Sequence, residues 1–163
     1  MRQNGNRLAG TPLSPSQLAD SRGGTARYEN GQSLNFHHLG YACVDLDEEA
    51  RGLAALGYVS EGEAFEDPLQ GISGRFLVGG GPRIELVCAL GGSEVLQPWL
   101  RRGTKVYHSA YEVADLRGTS ASLVEGRATV VSPPKPAVAF DMRHVTFLLL
   151  PNRYLIELIE SGY

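Results

Sequence analysis

The sequence HLGYACVDL at residues 38–46 has a counterpart later in the chain, HSAYEVADL at residues 108–116, and this repetition indicates the fold. The histidine, tyrosine, aspartate and leucine of the two stretches coincide at an offset of 70 residues. An Ile-Glu-Leu sequence also occurs twice, at residues 84–86 and 156–158, with an offset of 72 residues. Similarity at a nearly fixed spacing indicates that one structural unit is used twice. The chain is therefore predicted to contain two related halves.

Each half is predicted to be one strand, one helix and three further strands, which makes an α+β fold of two βαβββ repeats. Apolar runs of about six to eight residues, separated by Gly, Pro and Asp, are typical of strands. Helices are predicted from Asp45 to Gly57, with acids over the first turn, and from Asp115 to Gly126. A third short helix near residues 93–102 joins the halves. The predicted strands cover about residues 36–44, 58–64, 72–79, 83–90, 106–113, 128–132, 143–150 and 153–160.

The first 35 residues are dominated by Gly, Ser, Asn, Arg and Pro and show no apolar periodicity. Such a segment buries too little apolar surface to offset the entropy lost on ordering. We predict a flexible tail over residues 1–35, which either promotes solubility or packs on a partner subunit. The folded domain is predicted over residues 36–160, with modules at about 36–91 and 105–160.

The overall composition limits the partners of the chain. Its net charge of −3, from 15 basic and 18 acidic residues, comes without a long basic stripe, so nucleic acid is not expected as a partner. No apolar stretch of about 18 residues is present to span a membrane, and no secretory signal is recognised, so a cytoplasmic location is expected. Cys43 and Cys88 lie in apolar runs and are predicted to be small buried side chains without a disulfide.

Two histidines and two glutamates occupy equivalent positions in the two halves. Because alternate residues of a strand share a face, Glu85 and Glu157 point away from their apolar neighbours. A carboxylate in an apolar strand is costly unless it is paired or binds a metal. Two imidazoles and two carboxylates suit one divalent ion of Zn, Ni, Co, Mn or Fe. We therefore predict that His38, Glu85, His108 and Glu157 bind one divalent metal ion.

Individually, these residues allow simpler interpretations. A histidine at the start of a strand is usually an ordinary polar residue, and Glu85 could pair with Arg75 or Arg83. His37 is predicted to face away from His38, because neighbouring residues of a strand alternate, and to be at the surface or in a supporting position.

Three other residues are assigned from strand alternation and position. His144 lies next to Arg143 and could contact an anionic substrate, although a solvated position at a strand edge is the commoner role. Tyr41 and Tyr111, at equivalent positions in the repeat, are predicted to be in the core on the face opposite to the ligands.

Four stretches in this order resemble the metal-binding strands of the vicinal oxygen chelate superfamily, which includes glyoxalases, bleomycin resistance proteins and dioxygenases. The resemblance covers about residues 36–160 and implies a curved mixed sheet around a cavity for metal and ligand. A homodimer is expected, because the exposed edges of such sheets commonly pair. The four stretches are FHHLGYACVDL, PRIELV, YHSAYEVADL and RYLIELIE.

Within the superfamily, PRIELVCAL followed by YHSAYEV is most similar to methylmalonyl-CoA epimerase-like proteins. The resemblance implies a divalent-metal-dependent isomerase or epimerase that removes a proton next to a carbonyl, on a substrate such as a coenzyme A or carrier-bound acyl thioester. The same ligand set is also similar to that of bacterial glyoxalase I, a lyase. A third alternative is a small-molecule (antibiotic) binding and resistance protein without catalysis. A fourth ligand argues against a ring-cleaving dioxygenase, which uses two histidines and one glutamate with iron.

The resemblance implies that Glu157, or Glu85 in its place, is the catalytic base. The epimerases have a further catalytic glutamate just after a Gln-Gly pair, where this chain has Gly74. Glycine cannot transfer a proton, so another carboxylate would have to substitute. The candidates near that position are Glu63, Glu66 and Asp67.

Several basic residues are predicted to bind an anionic substrate. A stiff proline-rich loop over the cavity mouth is predicted at residues 132–136. The candidates are Arg101, Arg102, Lys105, Lys135 and Arg143. The first three would contact the phosphates of a coenzyme A or carrier arm, and the last two are expected near the second half of the cavity.

Overall fold

A computed structural model describes residues 25–27 and 33–162 of the chain. Nine strands, three α-helices and one short 3₁₀ helix are found within these residues. The 3₁₀ helix covers Val138–Phe140. The helices are α1 (Leu46–Ala54), α2 (Gln97–Leu100) and α3 (Leu116–Glu125). The strands are β1 (Thr25–Arg27), β2 (Ser33–Ala42), β3 (Val59–Asp67), β4 (Ile72–Gly79), β5 (Gly81–Ala89), β6 (Val106–Val113), β7 (Thr129–Pro136), β8 (His144–Leu149) and β9 (Leu155–Glu160).

All nine strands form one mixed sheet in which β2 and β6 join the two halves. The order is β3-β4-β5-β2-β6-β9-β8-β7, with β1 paired to β2. The central pair β2 and β6 is antiparallel, whereas β2–β5 and β6–β9 are parallel and the outer pairs are antiparallel. Both halves therefore have the same connectivity, and the predicted α+β fold of two βαβββ repeats is confirmed.

The long helices cover one face of the sheet and leave the other face for the site. Ile84 and Leu86 pack in a cluster with Leu53 of α1. Ile156 and Leu158 pack in the equivalent cluster against α3. The residues between them in each strand must therefore face the opposite side, because side chains alternate.

The tyrosines at the repeat-equivalent positions are half-buried and support the helical face. Tyr41 packs against the cluster under α1, and Tyr111 packs against the cluster under α3. Their predicted position on the face opposite to the ligands is confirmed.

The prediction of a proline-rich loop at residues 132–136 is wrong. These residues are not a separate loop, because β7 continues through them and pairs with β8, with two register shifts along the way. Proline lacks a backbone N–H, but β7 is at the end of the strand order, where one side of the strand needs no partner. The proline-rich segment is thus an irregular edge strand.

The predicted N-terminal tail falls mainly on residues 1–24 and 28–32, which lie outside the described residues. Within the tail, Thr25–Arg27 pairs antiparallel with the beginning of β2, which starts at Ser33. Among the described residues, no helix has the length and apolar character needed to span a membrane.

Candidate metal centre

The pairing of the four central strands brings the repeated histidines and glutamates together. In the antiparallel pair β2–β6, His38 lies opposite Ala110 and Gly40 lies opposite His108. On the outer sides, Glu85 pairs with Gly40 and Glu157 pairs with Ala110 in parallel register. All four polar residues therefore point from neighbouring positions on the face away from the helices.

Gly40 makes room for the ring of His108. A Cβ atom at this position would lie 2.0 Å from Cε1 and 2.3 Å from Nδ1 of His108. These distances are far below van der Waals contact, so any side chain larger than hydrogen would displace the ring. The absence of a side chain at Gly40 thus positions His108.

The four side chains form a compact and fully enclosed cluster. From His38 Nε2, the distances are 3.1 Å to Glu85 Oε2, 3.2 Å to His108 Nε2 and 3.4 Å to Glu157 Oε2. His108 Nε2 also lies 3.4 Å from Glu157 Oε2. One ligand atom from each residue lies within 4.8 Å of all the others, and each residue is at most 4% exposed.

Burial changes the protonation of this cluster strongly. It lowers the pKa of His38 to about 3 and that of His108 to about 4. It raises the pKa of Glu85 to about 7 and that of Glu157 to about 8. Removal from water penalises every charged form, so the cluster by itself favours neutral groups. A bound cation would reverse this preference for the carboxylates.

The donor atoms fit a divalent cation. Glu157 Oε2 is buried and has no hydrogen-bond partner among the described residues. A buried acceptor without a partner costs free energy that a metal bond would compensate. Two imidazole nitrogens and two carboxylates also match the nitrogen and oxygen preferences of Zn, Ni, Co, Mn and Fe. These residues could therefore hold one divalent metal ion.

A chain of polar contacts supports His38 from behind. His38 Nδ1 lies 2.8 Å from His37 Nδ1, and Arg83 Nη1 lies 2.8 Å from His37 Nε2. Arg83 Nε in turn donates to Glu61. A register shift between Phe36 and His38 breaks the strand alternation, so the prediction that His37 faces away from His38 is wrong.

Neither arginine that could have neutralised Glu85 does so. Arg83 contacts His37 and Glu61, and Arg75 forms an ion pair with Asp47 at 2.8 Å. The simple ion pairs considered from the sequence are therefore absent from the described contacts of Glu85.

A cavity of about 120 Å³ lies against the cluster, with Glu85 and Glu157 in its wall. Most of the remaining wall is apolar and comes from both halves of the chain. This lining has no signature in the sequence, because its residues are spread over strands, helix α2 and the 3₁₀ helix and share no periodicity. The aromatic residues in the wall are Phe65, Trp99, Tyr107, Phe140 and Phe147.

Only one of the predicted substrate-binding cations lines this cavity. Lys135 does so, and its Nζ donates to the carbonyl of Leu69 at 3.2 Å. The others lie elsewhere because they have partners or point outward. Arg143 pairs with Glu112 at 2.7 Å, Lys105 pairs with Glu49, and Arg101 and Arg102 line a separate surface groove.

His144 is exposed and contacts Glu160 at 3.1 Å. Its place outside the cavity lining agrees with a solvated position at the end of a strand rather than with contact to a substrate in the cavity.

The environment of Gly74 explains why no carboxylate occupies that point of the cavity. The ring of Phe65 lies over this glycine, where an added Cβ would be 2.4 Å from the ring. Of the substitutes considered from the sequence, Glu63 and Glu66 are exposed, whereas Asp67 is buried and lines the cavity. Both carboxylate oxygens of Asp67 accept backbone hydrogen bonds, from Gln70 and Val138.

Sequence comparison places the chain in a family that agrees with this geometry. Residues 37–147 match the Glyoxalase/Bleomycin resistance protein/Dioxygenase superfamily. The chain belongs to this superfamily, whose fold is the vicinal oxygen chelate fold. No curated protein matches the sequence.

Solved structures with the same fold include methylmalonyl-CoA epimerases. The enzyme from Mycobacterium tuberculosis is 25% identical, with a TM-score of 0.65 over 78% of this chain and 88% of that one. A hypothetical protein from Bacillus halodurans is 23% identical, with a TM-score of 0.67 over 80% and 96% of the two chains. An epimerase variant from Streptomyces coelicolor, solved with 2-nitronate-propionyl-CoA, is 23% identical, with a TM-score of 0.61 over 78% and 97%.

Proposed function

We propose that this protein is a divalent-metal-dependent isomerase or epimerase that removes a proton from the carbon next to a carbonyl, on an acyl thioester or a related acyl compound. The observation that carries the proposal is the enclosed cluster of His38, Glu85, His108 and Glu157 in the wall of a cavity. The similarity to methylmalonyl-CoA epimerases supports the same type of reaction.

The four residues would hold the metal, and one of the glutamates would also move the proton. When bound, a divalent cation supplies positive charge that stabilises a carbonyl oxygen becoming negative. Glu157 is the preferred base, because its Oε2 has no hydrogen-bond partner among the described residues and is therefore free to accept the proton. Glu85, which also lies in the wall of the cavity, is the alternative base.

A glyoxalase I-type lyase is the second candidate. The observation that favours it is Phe65 over Gly74, which leaves an aromatic ring where the epimerase resemblance implies a second proton-transferring glutamate. A lyase that shuttles one proton through Glu157 needs no such group. An antibiotic-binding protein would use the cavity without requiring the four ligand atoms.

Solvent hydrogen exchange separates these functions. Zinc-, cobalt- or nickel-reconstituted protein would be incubated in D₂O with propionyl, 3-phenylpropionyl and methylmalonyl thioesters. Deuterium at the α-carbon would be followed by mass spectrometry. We expect exchange that falls at least about 100-fold in Glu157→Gln. The matched control is Glu66→Gln, at an exposed glutamate of β3, which should exchange at the normal rate.

Turnover of the hemithioacetal of methylglyoxal, without thioester exchange, would instead support the lyase. Absence of both reactions from metal-loaded protein would contradict an enzyme of either type and favour a binding protein. A homodimer and a cytoplasmic location remain predictions, which size-exclusion chromatography with light scattering and cell fractionation would test.

A further inference from the structure

The size of the cavity limits the part of a substrate that can enter it. Its volume is about 120 Å³. An engineered protein cavity of about 150 Å³ holds one benzene molecule, so this cavity has room for one ring or branched alkyl group of similar size. A phosphate-bearing arm of a thioester would have to remain outside.

The chemistry of the wall favours an apolar group over a second carboxylate. The Trp99 and Tyr107 rings pack with centroids 5.0 Å apart, and Phe147 lies edge-on to the metal-site residue His108 at 5.3 Å. Phe140 stacks on His38 from the other side. A carboxylate placed among these rings would lose much of its hydration, whereas an apolar group would not.

The charges in the cavity wall also favour an apolar group over a second carboxylate. Three carboxylates belong to the wall, those of Asp67, Glu85 and Glu157. Of the described residues that line the cavity, Lys135 is the only basic one, so the wall carries one cation against three carboxyl groups. No arginine of the described lining is available to receive a second substrate anion.

On these grounds we propose that the cavity binds one aromatic or branched apolar group of its substrate, beside the carbonyl group that would face the metal site. The substrate would thus be an acyl compound with an apolar group on or next to the α-carbon, and not a dicarboxylic acyl group of the kind that the epimerase neighbours are named for. This inference rests on the proposed function for the metal and the α-carbon, but concerns a different part of the site.

The chain contains one tryptophan, Trp99, and this residue lines the cavity, so its fluorescence reports occupancy directly. The probes are 3-phenyllactate and malate, which share a 2-hydroxy carboxylate and differ in a phenyl group against a carboxylate. Each would be titrated into zinc-reconstituted protein with excitation at the red edge of tryptophan absorption. We expect phenyllactate to bind roughly 10- to 100-fold more tightly, the gain for burying one phenyl ring.

A cavity-filling variant locates the binding. Ala139→Leu places extra volume at a residue of the wall and should weaken phenyllactate binding about tenfold. Ala114→Leu is the control, because Ala114 is exposed and lines a different surface depression. Thermal unfolding of both variants verifies that they are folded.

Equal or tighter binding of malate would overturn the proposal, as would failure of both acids to change Trp99 fluorescence in folded, zinc-loaded protein. The outcome is independent of turnover. Preferential binding of phenyllactate without any α-proton exchange would uphold the ligand class and contradict the proposed reaction. Exchange on methylmalonyl thioester together with tight malate binding would uphold the proposed reaction and contradict the apolar ligand class.

Discussion

Gly40 is the residue on which the position of His108 depends most directly. Because an added Cβ would lie 2.0 Å from the imidazole, Gly40→Ala must displace the His108 ring from its position. We predict that this variant loses at least about tenfold in zinc affinity, a cost typical of a displaced or weakly oriented ligand. Competition with a chromophoric chelator would measure it.

The matched control for this prediction is Gly52→Ala. Gly52 lies in α1, and a Cβ there would meet nothing within 4 Å. The control should bind zinc normally and be slightly more stable, because alanine favours a helix over glycine. Normal zinc binding by Gly40→Ala would show that His108 is not a ligand in the position described.

Arg83 controls the direction of the hydrogen bonds behind His38. A guanidinium only donates, and Arg83 Nη1 lies 2.8 Å from Nε2 and 3.3 Å from Nδ1 of His37. The shorter distance favours an acceptor at Nε2 and a proton on Nδ1 of neutral His37, facing His38 Nδ1. His38 then carries its own proton on Nε2, the atom that would bind the metal. The contact between Arg83 and His37 therefore disfavours the tautomer that a metal needs.

We predict that Arg83→Met raises zinc affinity severalfold, on the order of tenfold at most. Methionine keeps apolar contact with the Phe76 ring, over which the guanidinium lies at 3.9 Å, but removes the donor and the positive charge. The control is Arg75→Met, which breaks an exposed ion pair with Asp47 and should leave the affinity unchanged. A weaker site in Arg83→Met, measured by zinc titration, would mean that Arg83 supports the metal-binding geometry instead.

At the scale of elements, each long helix begins at an aspartate that caps it. Asp115 Oδ1 accepts a hydrogen bond from the Gly118 N–H at 2.8 Å, at the start of α3. We predict that Asp115→Ala lowers the free energy of unfolding by about 1 kcal/mol and that Asp115→Asn, which can keep the cap, changes it by less. Urea unfolding followed by circular dichroism measures both.

Metal content should be the same in both Asp115 variants, because Asp115 is not one of the four clustered histidines and glutamates. Equal destabilisation by alanine and asparagine would show that the hydrogen bond does not act as a cap and that the charge at the helix start contributes instead.

The helices and strands and the four clustered residues could be predicted from the sequence, because each occurs at equivalent positions in the two halves of the chain. Chance does not readily place a histidine and a glutamate at the same points of two strand-helix-strand units, and the helix caps Asp45 and Asp115 follow the same repeat. Strand alternation then fixed which face Glu85 and Glu157 share.

The surroundings of the cluster could not be predicted because they depend on packing and irregular backbone. The contact of His37 with His38 arises at a register shift that periodicity does not reveal. Phe65 over Gly74 is a contact between neighbouring strands β3 and β4, and the extension of β7 to Pro136 depends on pairing with β8. None of these contacts can be predicted without knowing the register in which the strands pair.

At the scale of the whole molecule, the buried glutamates make stability depend on pH. Their pKa values of about 7 and 8 exceed the usual 4.5, so above about pH 4.5 the folded metal-free protein retains protons that the unfolded chain releases. Stability therefore falls as the pH rises towards 8. The buried histidines act oppositely and mainly below about pH 7, because their pKa values are lowered from 6.5 to about 4 in His37, 3 in His38 and 4 in His108.

We predict that the thermal midpoint of chelator-treated protein falls between about pH 7 and pH 8.5, where proton release by the two glutamates outweighs the residual titration of histidines in the unfolded chain. Glu157→Gln should show a smaller fall, because its side chain cannot ionise. Zinc should remove most of the fall, since it binds the ionised carboxylates of the folded state. A midpoint of the metal-free protein that is constant or rises over this interval would contradict the assigned burial of these two groups.

The claim that the two halves of the molecule jointly hold one metal ion is tested most directly by metal content. Elemental mass spectrometry would be applied to purified, zinc-reconstituted protein and to Glu85→Ala, Glu157→Ala and the exposed control Glu66→Ala. We predict about one divalent ion per chain in the original protein and the control, and loss of the ion in both cluster variants. Metal-free protein after reconstitution, or undiminished metal in both cluster variants, would contradict it.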